Sequence, residues 1–303
     1  MEKLRKERIG ETSINKQGIK MEIIEYNKSN DIVVKFENGH KLHTTYASFK
    51  NKTPRYIENH NGEENFNTQG SLMKIIDYKD TRNVIVEFQD EHKHISKTSY
   101  YAFKRGEIIN PYFPSLFNVG YIGKCYYDNK KYSYSESYKK WFQMLRRCYD
   151  INFQKNSPTY VGCTVCVEWH NYSNFNDWYN ENYYEIPNEI MCLDKDILVN
   201  NNRIYSPSSC IFVPTSINNL FTSKTKNNNF GISIREKDKG LFFPRYGGKN
   251  LGSYKNFNDA KEAYLIEKQK SIRSCAEKYK FKIPNILYEK LSNYEERISN
   301  EEI

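Results

Sequence analysis

At 303 residues, with 26 Tyr, 17 Phe and a formal net charge of +9, the chain is long enough for two or more domains that each bury a core. No stretch of about 18 apolar residues occurs, which excludes a membrane-spanning helix, and the start Met1-Glu-Lys-Leu-Arg-Lys-Glu-Arg8 has no apolar run behind it, so no secretory signal is expected. Seven cysteines, an odd number without an export signal, are expected to be reduced thiols in a cytoplasm rather than a disulfide framework.

The N-terminal third repeats itself. Gln17-Gly-x-x-Met21-x-Ile-Ile-x-Tyr26 matches Gln69-Gly-x-x-Met73-x-Ile-Ile-x-Tyr78 at an offset of 52, and Val33-Val-Lys-Phe36 matches Ile85-Val-Glu-Phe88. His40 pairs with His92 at that offset, and Tyr46-x-x-Phe49 with Tyr100-x-x-Phe103 after a two-residue insertion. Each copy alternates apolar and polar positions over short runs, and Glu37-Asn-Gly39 reads as a turn, so a meander of short strands is expected. Copies of this size suit a small, strongly bent barrel of the Tudor or KOW kind, placed at 13–55 and 66–111. Residues Thr53 to Asn67 read as the linker between them. Neither copy carries a catalytic constellation; His40, His43, His92 and His94 are read as exposed strand histidines. The barrels are expected to act as spacers or as contacts for a partner protein.

The next segment, 118–223, opens with apolar positions Tyr138, Trp141, Phe142, Leu145 and Tyr149 at helical spacing. It then runs through Pro158-Thr-Tyr160, Cys163-Thr-Val-Cys-Val-Glu-Trp169, Leu193-Asp-Lys-Asp-Ile197, Tyr205-Ser-Pro-Ser-Ser-Cys210 and Ile217-Asn-Asn-Leu-Phe221. In order and spacing these motifs resemble phage-encoded HNH-type (ββα-metal) endonucleases. In that family a strand bearing Asp, a tight turn, a second strand and an Asn-bearing helix form a one-metal DNA-cleaving site.

The resemblance implies a metal-dependent hydrolase that nicks or cleaves DNA at preferred sites, as a homing enzyme does, in the cytoplasm of a bacterial host. A single Mg²⁺ or Mn²⁺ would stabilise the leaving oxygen, held by one or two oxygen ligands. Carried over, the metal ligands are Asp194 and Asn218, and the catalytic set is Asp194, Lys195, Asp196 and Asn218. Asp194 and Asp196 are two apart on an expected strand and so would share a face. Position 195 departs from the family, which has His there to polarise the water. Flanking carboxylates favour a charged ammonium, so Lys195 is read as a phosphate ligand. Ser209 also stands where the relatives have Asn. The missing His keeps open an alternative: a catalytically defective DNA- or protein-binding factor, such as a phage regulator or an inhibitor of a host nuclease. Cys163-x-x-Cys166 has the spacing of half a zinc site, which Cys148, Cys192 or Cys210 would have to complete; with no second pair at regular spacing, structural zinc is the minor reading.

From Lys224 to Lys290 the chain holds 16 Lys and Arg against 7 Asp and Glu, while the rest balances at 30 of each. The whole positive excess therefore lies in one region, as expected of a polyanion binder. Residues 229–292 read as three short strands and a helix capped by Asn258, with an acidic tail at 293–303. Phe230-Gly-Ile-Ser233, Leu251-Gly-Ser-Tyr254 and the Asn256-x-x-Asp-Ala-x-x-Ala-Tyr264 run resemble the APETALA/ethylene-response-factor domain. That domain lays its sheet in the major groove of double-stranded DNA, which carries over to Arg235, Lys237, Arg245, Lys249 and Lys255 as DNA contacts. The fold class expected for the whole is α+β and multidomain.

Overall fold

A computed structural model describes residues 7–56, 58–124, 135–221, 231–234 and 240–295. The chain is an α+β protein built from several small, mostly antiparallel sheets with helices against them. It divides into two compact units, 1–110 and 111–303.

The first unit contains both repeats. Copy one runs β1 (Thr12–Ile14), β2 (Lys20–Lys28), β3 (Asp31–Phe36), β4 (Lys41–Thr44) and the short helix α1 (Tyr46–Lys50). Copy two runs β5 (Glu64–Phe66), β6 (Leu72–Asp80), β7 (Asn83–Phe88), β8 (Ile95–Thr98) and α2 (Tyr100–Arg105). Registers coincide: Met21 faces Phe36 as Met73 faces Phe88, and both long strands slip at equivalent places, between Ile23 and Glu25 and between Ile75 and Asp77. Such bulges bend a strand and sharpen its twist, letting four short strands wrap a core. Met21, Ile23, Val34, Phe36 and Phe49 fill one copy; Met73, Ile75, Val86, Phe88 and Phe103 fill the other.

Three expectations are corrected here. The sheets are open, ordered β1-β2-β3-β4 and β5-β6-β7-β8, and no strand among the described residues closes them into barrels. Pro54 has no N–H to extend a ladder, and its carbonyl instead accepts from Asn15 Nδ2 at 3.1 Å. Tyr56 N–H donates to Gln17 Oε1 at 2.7 Å. Copy two repeats the device, with Asn67 Nδ2 on the Ile108 carbonyl at 2.9 Å and Asn110 N–H on Gln69 Oε1 at 2.7 Å. Secondly, β5 lies within the expected linker. Thirdly, His40 corresponds to His94 and not to His92. Each stacks on its strand phenylalanine, 6.1 Å from Phe36 and 6.2 Å from Phe88, which puts the insertion in the hairpin before β8.

Asn67 is buried, and its Oδ1 also accepts the N–H groups of Gln69 and Ser71. Asn67→Ala would strand these groups, and we expect a loss of about 1–3 kcal/mol in urea unfolding of the full chain.

In the second unit α3 (Glu136–Tyr149) starts where Ser135 accepts from the Tyr138 N–H, and the short α4 (Ile151–Asn156) follows it. It buries Trp141, Met144, Leu145 and Cys148; of the positions read from the sequence spacing, Trp141 and Leu145 are buried while Tyr138, Phe142 and Tyr149 are half-buried, so the buried face is turned toward Met144 and Cys148. These pack with Trp169 and with Tyr172 and Phe175 of α5 (Tyr172–Asn182). Beyond α5 come β10 (Met191–Asp194), β11 (Ile204–Tyr205), β12 (Ile211–Pro214) and α6 (Thr215–Phe221). β10 and β12 pair antiparallel, Asp194 opposite Ile211 and Met191 opposite Pro214. β11 pairs parallel with β9 (Thr164–Val165).

The β10–β12 pair separates two cores. Met191, Leu193 and Phe212 belong to the core built on α3 and α5. Ile211 and Val213 face the other, with Ile197 and Ile217. That second core is completed by Ile272, Ala276 and Tyr279 of α7 (Phe257–Tyr279) and by Leu287 and Leu291 of α8 (Asn285–Ser292). The expected boundary near residue 224 therefore does not separate cores: the C-terminal helices are part of the central one.

The three-stranded sheet β13 (Ile232–Ile234), β14 (Phe242–Tyr246) and β15 (Lys249–Asn250) packs on the N-terminal half of α7. The helix is capped by Asn256, whose Oδ1 accepts the Asp259 N–H at 2.8 Å, and not by Asn258, which lies within the first turn. β15 is shorter than expected because Gly252, at φ 109°, turns the chain, and pairing resumes only at the Phe242–Tyr254 bridge.

Candidate functional site

The site read from the sequence sits where β10 ends. Strand alternation puts Asp194 on the same face as Cys192, which packs with Ile211, Val213, Ile217 and Leu220. That is the face α6 covers, so Asp194 and the helix bearing Asn218 lie on one side of the two-stranded sheet. Asp194 Oδ1 accepts two backbone N–H groups, from Asp196 at 2.8 Å and Ile197 at 2.7 Å. Oδ2 has no protein partner among the described residues. Burial pushes the Asp194 carboxyl above the ordinary aspartate value; the two N–H bonds oppose the rise and the Asp196 charge adds to it. The Asn218 side chain, half-buried on α6, makes no hydrogen bond to another described residue.

Asp196 is placed differently from the sequence reading. β10 stops at Asp194 because Oδ1 draws the next backbone into a turn, so the two carboxylates do not share a strand face. Lys195 is buried, and Nζ donates to both Asp196 oxygens at 2.7 and 2.8 Å and to the Asn202 carbonyl at 2.6 Å. An ammonium has three donors, so none remains for the phosphate that Lys195 was expected to hold. Its ammonium also lies 5.9 Å from the ring centre of Tyr205.

Sequence reasoning missed Asn202, which organises this turn. Its Nδ2 donates to the carbonyls of Lys195 at 2.9 Å and Ile204 at 2.6 Å, and its Oδ1 accepts the Ile204 N–H. In a chain so rich in Asn, nothing marked this one. Thr164 N–H to Arg203 O and Cys166 N–H to Tyr205 O then fix the turn to β9. Ser209 Oγ donates to Ile204 O at 2.8 Å, closing the turn where the resembled family has Asn. His170 makes no hydrogen bond to Asp194, Lys195 or Asn218: its Nε2 lies 3.1 Å from the Val165 carbonyl, and burial holds the ring below the ordinary histidine value.

If Lys195 is a brace, removing it destabilises the fold. We expect Lys195→Met to lower stability by about 1–3 kcal/mol in urea, mostly through the orphaned Asn202 carbonyl. Asp196 is 53% exposed, so water screens its share of the pair. Unchanged stability would return Lys195 to a chemical role.

The candidate cysteines Cys148, Cys163, Cys166 and Cys210 share the core built on α3 and α5. Cys163 is buried, Cys166 half-buried, and the six cysteines among the described residues are free thiols. Burial pushes the Cys148 and Cys210 thiols up to about 12. Among the described residues no group of three or more His, Cys, Asp or Glu side chains converges on a metal position. A hard cation that keeps most of its waters needs only one or two protein oxygens; Asp194 Oδ2 and the Asn218 amide oxygen carry no hydrogen bond to another described residue.

In the C-terminal sheet, Arg245 is exposed opposite Asn250. Tyr246 contacts Tyr264 of α7 edge-on at 5.3 Å, so Arg245 projects from the face away from the helix. Lys249, opposite Tyr246, is on the helix side and pairs with Glu267 at 2.9 Å; its expected place on the groove face is corrected. Lys255 is exposed just before the helix cap. Arg235 and Lys237 lie outside the described residues. No helix of the described residues is long and apolar enough to cross a membrane. Compared with known proteins, the chain matches no family model, no curated protein and no solved structure.

Proposed function

We propose that the protein is a metal-dependent DNA endonuclease of the ββα type, of phage origin, with Asp194 and Asn218 as ligands of one Mg²⁺ or Mn²⁺. One observation carries this reading. A partly buried carboxylate at a strand end is held through one oxygen and leaves the other without a protein partner, on the sheet face covered by the helix that bears Asn218. Burying a carboxylate is costly unless it is paired or bound to a metal. When bound, the cation would stabilise charge on the leaving oxygen of the scissile phosphodiester. Asp194 is aimed by the turn that Lys195 and Asn202 brace. Arg245 and Lys255 are the described contacts for duplex DNA, and the two N-terminal sheets extend the footprint or bind a partner protein.

Incubating the full chain with supercoiled DNA tests this. Open-circular or linear product is expected with Mg²⁺ or Mn²⁺ and none with EDTA. A second reading, a DNA-binding factor on an inactive ββα core, is favoured by Lys195, whose donors are all used where the resembled family has a histidine. Retained DNA binding with no cleavage in either metal would select it.

A further inference from the structure

The turn between α7 and α8 carries a feature that neither the proposed metal site nor the C-terminal sheet uses. Phe281 is 94% exposed, more than any other large hydrophobic among the described residues. Its position is held firmly. Tyr279, two residues before, is buried and hydrogen-bonds Glu189 and Ser216; Ile283, two residues after, is buried in the second core. The Lys282 N–H closes the turn on the Tyr279 carbonyl at 2.7 Å. Alternation between these anchors sends Phe281 outward. Lys278, Lys280 and Lys282 around it are all exposed. Of the nearby acids, Glu277 pairs with Lys280 at 3.7 Å and accepts from Tyr288 Oη, and Glu189 feels the Lys278 charge from beside Tyr279; Lys278 and Lys282 form no ion pair among the described residues.

An exposed aromatic ring on an anchored turn, with the Lys280 ammonium 6.0 Å from its centre and Lys278 and Lys282 beside it, combines a stacking platform with charges for a phosphate backbone, the pairing used on single-stranded nucleic acid. We infer that the Lys278–Lys282 turn binds a nucleic-acid strand by stacking an unpaired base on Phe281, with Lys278 and Lys282 on flanking phosphates. The inference rests on the DNA-directed reading above and adds to it a contact for an unpaired or displaced strand. A lipid surface is the weaker fit, because a single aromatic side chain with polar neighbours offers little apolar area to a bilayer.

The test is anisotropy titration of the full chain, in EDTA, with a labelled single strand of about 20 nucleotides, long enough for several bases beyond the stacked one. The same sequence as a duplex, and vesicles of phosphatidylcholine with phosphatidylglycerol, are the other probes. Phe281→Ala is expected to weaken single-strand binding roughly 5- to 150-fold, the range for one stacked base. Phe281→Trp should preserve it, and duplex affinity should be unchanged in both variants. Lys278→Ala with Lys282→Ala should flatten the single-strand salt slope by roughly 1.4. The variants are expected to keep the wild-type melting temperature, since Phe281 touches no core.

Single-strand affinity unchanged in Phe281→Ala overturns the inference. If duplex binding persists in that case, the endonuclease reading stands without it. Loss of vesicle binding with single-strand binding intact assigns the turn to a lipid surface and also overturns it. A wild-type chain that binds neither oligonucleotide overturns both readings together.

Discussion

Asp194→Asn is expected to abolish metal-dependent nicking, by at least about a thousandfold as for loss of a main electrostatic contributor, and at the same time to raise the melting temperature of the metal-free protein. The substitution keeps an oxygen that can accept the Asp196 and Ile197 N–H groups, so the turn survives. What it removes is a charge that the fold holds in a partly dry place. The folded carboxyl titrates above its ordinary value because it is desolvated. Its favourable contribution to stability is therefore complete only when it is protonated, well below the ordinary aspartate range of about 4, and is lost as pH rises through the folded value. The wild-type chain should accordingly lose stability over that interval while Asp194→Asn does not, so the difference between them should open as pH rises and vanish in acid. Mg²⁺ should reverse the order. A cation that binds only the folded state at a hundred times its Kd adds about 2.7 kcal/mol, available to the wild type alone. Thermal melts of both proteins at several pH values, with and without Mg²⁺, check each part. Equal melting temperatures and equal nicking would exclude Asp194 from the site.

Leu287→Ala should cost about 2–5 kcal/mol, the range for emptying a buried leucine site, which is a large share of the stability of an ordinary domain. Leu287 is fully buried in the core that joins α8 to Ile211, Val213 and Ile217. The loss should be seen when the melting of the central unit is followed by tryptophan fluorescence, since all three tryptophans belong to it. A change confined to a few tenths of a kcal/mol would mean that α8 is an appendage. The same geometry decides how DNA affinity must be mapped. Deleting the basic region would remove Ile272, Ala276, Tyr279, Leu287 and Leu291 from the central core, so charge substitutions in the full chain are the interpretable experiment. Arg245 is the one to choose in the sheet; Lys249 would first break its pair with Glu267.

Features carried by local spacing were legible in the chain. The duplicated strands of the first unit, the Glu37-Asn-Gly39 hairpin and part of the buried face of α3 follow from periods of two or 3.6 residues and from turn chemistry, which neighbours along the chain determine, whereas the antiparallel pair followed directly by α6 was expected only from the family resemblance. Tertiary partners decided the rest. Glu189 and Tyr279 meet across 90 residues, and no local pattern states that α7 belongs to the β10–β12 core and not to a separate module. A side-chain amide stands in place of a closing strand in each copy, Asn15 on the Pro54 carbonyl and Asn67 on the Ile108 carbonyl, contacts about 40 residues apart that no local pattern announces. Lys195 reads as an exposed cation between two acids, yet its three donors are absorbed by a turn whose organiser, Asn202, is one asparagine among many. A sequence states which groups are available; where each donor and charge is spent depends on what the folded chain brings beside it.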